Sequence, residues 1–385
     1  FLKFEPMKKL LIILLCLPMI GFGQQTYVPD DDFEQELINL GYDTVLDDSV
    51  LTVNISYVTS LILSNLNISD LTGIEAFTSL TFLSCQNNQL SSLDVTQNTQ
   101  LTHLNVILNS ITNLDLSNNT LLGGLYCGEN LLTSIDVSHN TSLTVLSCYE
   151  NQITSLDITQ NTALTDLSCQ YNQITNLDVT QNTALTNLTC GINQITNLDV
   201  TQNTALTNLS CGINPISSLD VSQNISLTHL NCASNQLTNL DVSQNTSLIY
   251  LSCVTNQLDS IDVSSLTSLE KFFCYSNQLT FLDLRNGNNT NFIALDLTNN
   301  PNLSCINVDN ATWSDATWSV ANGDIDVQHY FSNNCFGTSE IEEYYTNKEF
   351  LKITDLLGRE TKGSKNEPLF YIYDDGTVEK RIVIE

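Results

Sequence analysis

Two sets of residues in this 385-residue chain have side chains capable of chemistry. Nine cysteines recur at one position: Cys85, Cys127, Cys148, Cys169, Cys190, Cys211, Cys232, Cys253 and Cys274, with Val106 in the one other copy. Ten aspartates recur at another: Asp94, Asp115, Asp136, Asp157, Asp178, Asp199, Asp220, Asp241, Asp262 and Asp283. Thiols can ligate metal or form disulfides, and carboxylates can hold cations or move protons. No CxxC pair and no Cys/His spacing accompanies the cysteines. On adjacent parallel strands, ~4.8 Å apart, their side chains would run side by side, a poor approach for an S–S bond. Valine at the exception marks a site for a small hydrophobe. Buried, reduced thiols filling a core are the expectation.

The aspartates raise a different question. Stacked ~5 Å apart, adjacent carboxylates repel by roughly 0.8 kcal/mol in water. Either neighbours such as Thr175 and Asn176 donate hydrogen bonds, or the row holds calcium weakly around Asp157, Asp178 and Asp199. Calcium wants about six to eight oxygens, so water would complete its shell. Acid–base catalysis fits poorly, because a catalytic pair would break the repeat and these acids obey it. No nucleophile elbow, phosphate loop, zinc helix or dinucleotide motif is present. His103, His139, His229 and His329 are scattered without ligand spacing. An enzyme is not expected, and no cofactor is required.

What positions these columns is a repeat. Residues 164–184 and 185–205 are two nearly identical blocks of 21. Leu164, Leu167, Cys169 and Asn172 spell LxxLxCxxN, and Ile174, Leu177, Val179 and Asn182 repeat the spacing. Apolar and polar residues alternate within each half, which predicts two short parallel strands per rung with turns at the asparagines. One rung carries too few apolar side chains to offset the entropy of ordering it, so the stack is the folding unit. With strands in both halves, both faces should advance ~4.8 Å per rung and the solenoid should be straight.

The pattern resembles the leucine-rich repeat family in its 21-residue bacterial form. Ten blocks start at Leu80, Leu101, Leu122, Leu143, Leu164, Leu185, Leu206, Leu227, Leu248 and Leu269, after a longer first copy at 58–79. The resemblance implies a mainly β, right-handed parallel solenoid of about ten to eleven rungs. It also implies a binding scaffold without identifying the ligand.

The remaining segments read as ends. Residues 1–23 hold six upstream residues and a signal peptide from Met7, with cleavage before Gln24. Residues 24–57 form an N-terminal cap, its helix at 30–40 burying Phe33, Leu37 and Leu40 and ending at Gly41. The solenoid takes 58–300. Residues 301–338 form a C-terminal cap, closed by a Cys305–Cys335 disulfide as befits an exported chain. Its Trp313, Trp318, Tyr330 and Phe331 cover the last rung. Strand-like runs at 350–353, 369–373 and 378–384 make 339–385 a small β module. It resembles the sorting module of type IX secretion in Bacteroidota through Leu356, Leu357, Gly358 and Arg359, the Tyr371 strand, and Lys380, Arg381, Ile382 and Val383. It is short and lacks an opening Pro-Asn-Pro strand.

Charge narrows the partners. Residues 24–339 carry thirty acids and only Lys271 and Arg285 as bases, within a net charge of −30 for the chain. Nucleic acid and anionic membrane surfaces are poor partners on charge, neither is expected as a partner, and no membrane span is expected in the mature protein. The cysteine-side columns vary most between copies. They hold Tyr126, Tyr149, Tyr171, Ile192, Ile213, Phe273 and Tyr275, large contact groups typical of binding surfaces. The resulting expectation is a secreted or surface leucine-rich repeat protein, adhesion-like, binding an extracellular protein or glycan and exported by the type IX machinery. A purely structural stalk is the alternative, and a polysaccharide-active enzyme a weaker one.

Overall fold

The computed structural model describes residues 23–335, 350–354, 359–362, 368–373 and 378–382. The chain divides into two compact units, the first ending at Asn333 and the second starting at Asn334.

The first unit is the solenoid. Twelve parallel strands of three residues stack in register from Ser60–Ile62 to Ala294–Asp296. Each is an outward–inward–outward triplet, as at Asp166–Ser168, where Leu167 is buried and pairs with Leu146 and Leu188. The inward leucines, the cysteines and the second-half residues such as Ile174 and Val179 form one continuous core. All nine ladder cysteines are free and fully buried. Burial pushes the thiols of Cys85, Cys148 and Cys211 up to about 12.

Asparagines tie the rungs together. The Asn172 amide donates to the carbonyls of Cys148 (3.0 Å) and Cys169 (3.1 Å), and its oxygen accepts the Ile153 N–H at 2.9 Å. Each such side chain satisfies turn groups that would otherwise be buried unpaired. The second asparagine column does half as much. Asn182 donates to Ile158 (3.0 Å) and Asn161 (2.9 Å), but its Oδ1 has no partner, as in Asn98, Asn119, Asn140, Asn161, Asn203, Asn224 and Asn245.

The expectation of paired strands on both faces needs correction. On the aspartate face, strands form only toward the end, at Ser260–Asp262, Phe281–Asp283, Cys305–Asn307 and Tyr330–Ser332. In central rungs the equivalent stretch, such as residues 176–178, pairs with no neighbour. There the inter-rung backbone bonding is reduced to contacts such as Gln173 N–H to the Ile153 carbonyl at 2.9 Å. Aspartate side chains accept the N–H two residues on in both settings, as Asp178 from Thr180 and Asp262 from Ser264, so that local bond does not decide where a ladder forms. Equal advance on the two faces is therefore not imposed by hydrogen bonding.

The caps close both ends. At the N-terminus, Gln25–Tyr27 and Ser49–Leu51 pair antiparallel beside the helix Asp31–Asn39. Phe33 and Leu37 are buried, but Leu40 is exposed and Glu34 is buried in its place. Leu40 is the helix C-cap, and the Glu34 carboxylate accepts three N–H bonds, from Asp47, Asp48 and Ser49 at 3.0–3.1 Å. Asp30 caps the helix through Phe33 N–H and binds Ser69 and Asp70 on the first rung. At the C-terminus, Cys305 and Cys335 are disulfide-bonded. Trp318 and Phe331 pack on the core, whereas Tyr330 points to solvent at the strand's outward position. The second unit contains three antiparallel strands, Phe350–Thr354, Pro368–Tyr373 and Val378–Ile382.

Candidate ligand-binding face

Each rung offers the cysteine face four outward side chains: two from the strand and two between the cysteine and the asparagine. In one rung these are Asp166, Ser168, Gln170 and Tyr171. The last column has a property that sequence reading missed. It is left-handed in every rung, with φ of 57° at Tyr171, 55° at Ile192, 56° at Ile213 and 52° at Thr255. A side chain there costs roughly 1–2 kcal/mol, and a β-branched one is a genuine outlier. Asn, which tolerates the conformation, stands at the terminal copies, Asn65, Asn87 and Asn299. Those three asparagines are the only sequence sign of the bend.

The cysteine face has a hollow of about 610 Å3 spanning the rungs from Gln170 to Asp296. Its rim includes Tyr171, Ile192, Ile213, Phe273 and Tyr275, five of the seven residues expected to bind ligand. Ile213 is 53% exposed and Tyr171 49% exposed. The floor is low because Gly191 and Gly212 have no side chain. A Cβ on Gly191 would lie 2.8 Å from the Gly212 carbonyl oxygen. Tyr250 also lines the hollow, stacked on His229 (centroids 6.0 Å apart) and against Phe273 (5.8 Å). Sequence reading missed Tyr250; variation in the first strand column, from His103 through Asp166 to Tyr250 and Lys271, is the signal that could have found it. Asp296 supplies the only carboxylate of the lining, which is otherwise neutral.

Tyr126 and Tyr149 lie outside that hollow. Half-buried Tyr126 lines a smaller one, about 230 Å3, with Val145 and Asp166. Tyr149 lays its ring over Gly128, where a Cβ would come within 2.5 Å of it. Its hydroxyl donates to Glu129 Oε1 at 3.1 Å. Burial and the Glu129 and Glu150 carboxylates hold its hydroxyl above the usual tyrosine range.

The aspartate row resolves its repulsion locally. Asp157 Oδ1 accepts from Thr159 N–H (3.0 Å) and Oγ1 (2.7 Å), and Asp178 and Asp199 bind Thr180 and Thr201 in the same way. The donors lie two residues on, in place of the expected Thr175 and Asn176. These bonds outweigh the neighbouring charges: Thr159 holds Asp157, and Thr201 holds Asp199, below the usual carboxylate range. Among the described residues, the one trio of carboxylates within 4.8 Å of one another is Glu34, Asp43 and Asp47, away from this row.

Of the tail residues, Arg359 is exposed, and Lys380 and Arg381 lie in the strand Val378–Ile382. Leu357 and Gly358, and the leader segment 1–22, fall outside the described residues. No helix among the described residues is long and apolar enough to cross a membrane.

No protein-family model matches the chain. Over 73 residues it is 42% identical to internalin J of Listeria monocytogenes serotype 4b (strain F2365), a match covering 19% of this chain and 8% of that protein. The functional domain of InlJ from Listeria monocytogenes, which includes a cysteine ladder, superposes with a TM-score of 0.61 at 28% identity, over 94% of this chain and 99% of that one. A leucine-rich repeat protein of Leptospira interrogans superposes with a TM-score of 0.62 at 26% identity, over 71% and 73% of the two chains.

Proposed function

We propose that this leucine-rich repeat protein is a recognition scaffold whose cysteine face binds another protein. The observation that carries the reading is the hollow, where five large side chains from four rungs gather around a glycine floor. Large, exposed aromatic and aliphatic groups around a concave centre are the makings of an interface core. The solenoid similarity to internalin J supports a scaffold over a catalyst. The test is capture by the full chain, with a Tyr171→Ser, Ile213→Ser, Phe273→Ser variant as comparison. A partner protein retained by the wild type and lost by the folded variant supports the reading. Equal retention moves the site elsewhere, and a partner that proves to be glycan changes its class.

Secretion or surface display belongs to the same proposal. It rests on the basic–apolar leader from Met7 and on the strand-rich tail with Arg359, Lys380 and Arg381. Removing 339–385 is expected to hold the protein in the cell envelope with its repeats intact. Normal export of the truncated chain would remove the type IX assignment.

A further inference from the structure

The left-handed column on the rim of the hollow changes character in an ordered way. After Asn65, Asn87 and Leu108 come Glu129 and Glu150, then Tyr171, Ile192 and Ile213, before Ser234 and Thr255. They are consecutive rungs of one stack, since Asn151 N–H donates to the Tyr171 carbonyl, Asn172 N–H to Ile192 and Asn193 N–H to Ile213, at 3.2–3.3 Å. No lysine or arginine lies between Lys9 and Lys271, so the two carboxylates have no basic side chain of their own repeats to pair with. Asn is the residue this backbone favours, and the terminal rungs use it. The middle rungs hold side chains that the conformation resists: Glu150, Tyr171 and Ile213 are exposed, while Ile192 and Glu129, which accepts the Tyr149 hydroxyl, are half-buried. Strain retained at an accessible position points to a role beyond folding.

We infer that this column is the specificity edge of the cysteine face, and that its partner is an extended polypeptide segment with a cationic side chain followed by apolar ones. This rests on the cysteine face being the binding face. The carboxylates select the cation by charge complementarity, and Tyr171, Ile192 and Ile213 receive the apolar groups. Rung spacing sets the register. From Glu150 to Ile213 is three rungs, about 14 Å, and an extended chain rises about 3.3 Å per residue, so the cation and the last apolar group stand about four residues apart.

The experiment uses fluorescent 12-residue peptides carrying Lys-Lys with Ile and Phe three and four residues on, read by anisotropy against the full chain. Two control peptides replace the lysines by glutamate or the apolar pair by serine. The lysine–apolar peptide is expected to bind at least tenfold tighter than either control. Glu129→Gln with Glu150→Gln is expected to abolish the preference for lysine over glutamate. Ile192→Asn with Ile213→Asn is expected to lose the preference for apolar residues while raising the melting temperature, a pairing that a purely structural column would not give. Equal binding of the three peptides overturns the inference, and so does a lowered melting temperature in the Asn variant. If a captured partner is lost by the Tyr171, Ile213 and Phe273 variant yet unaffected by the Glu129 and Glu150 changes, the binding face stands and the cationic segment is overturned.

Discussion

At the scale of single residues, the two asparagine columns look alike in sequence and differ in what they hold. Asn172 is bonded at both ends of its amide, whereas Asn182 uses only its nitrogen. Removing a buried partner leaves each orphaned group with a desolvation penalty of about 1–3 kcal/mol. Asn172→Ala is therefore expected to destabilise the repeat domain by about 3 kcal/mol, and Asn182→Ala by less, as read from urea midpoints. The reverse order would contradict the bonding described. The aspartates were legible as an outward column, but their partners were not, because the bond depends on the turn bringing residue i+2 back to the carboxylate. With Oδ1 occupied by Thr159, Thr180 and Thr201, only one oxygen per rung is left for a cation. Calcium and sodium at matched ionic strength are expected to shift the melting temperature alike. A calcium excess that disappears in Asp157→Asn, Asp178→Asn, Asp199→Asn would instead give the row a cation.

At the scale of elements, the cysteine ladder behaves as filler. Reactivity needs the thiolate and access, and burial denies both. Iodoacetamide is expected to label none of the nine thiols in the native protein and all nine in urea. Labelling of the folded chain would show that rungs open locally. The C-terminal cap carries the pH-sensitive group. His329 is buried, its Nδ1 accepting the Asp326 N–H at 3.1 Å, which places its proton on Nε2 facing the Asn300 carbonyl at 3.4 Å. Burial lowers its pKa against the pull of Asn300 and Asp326. The folded state thus prefers neutral imidazole. Its contribution is present above the ordinary value of about 6.5 and is lost as pH falls below it. Between pH 7.5 and 5, the hydrogen-exchange protection factors of residues 325–333 should fall, and His329→Gln should flatten that dependence. The strands of the cysteine face were readable from Leu-x-Cys alternation. Their missing counterparts opposite were not, because Leu-x-Val carries the same alternation whether or not the backbones meet.

At the scale of the whole chain, the period of 21 was enough to read a solenoid. The hollow was only partly legible. Its large side chains stood out as variation between copies, but Tyr250 and the glycine floor depend on how neighbouring rungs align. The lacing of one face also determines how the molecule yields to load. Backbone bonds run from rung to rung along the stack, as from Cys190 N–H to the Ser210 carbonyl, and the aspartate face adds few in the central rungs. A tether pulling on the two ends would peel these bonds a few at a time, which needs little force. Each yielding block would release 21 residues, about 70 Å of extended chain. The segment between Cys305 and Cys335 would add no length until its disulfide was reduced. Stretching the chain is therefore expected to lengthen it in even steps of one repeat, read as a sawtooth of equal increments in single-molecule pulling.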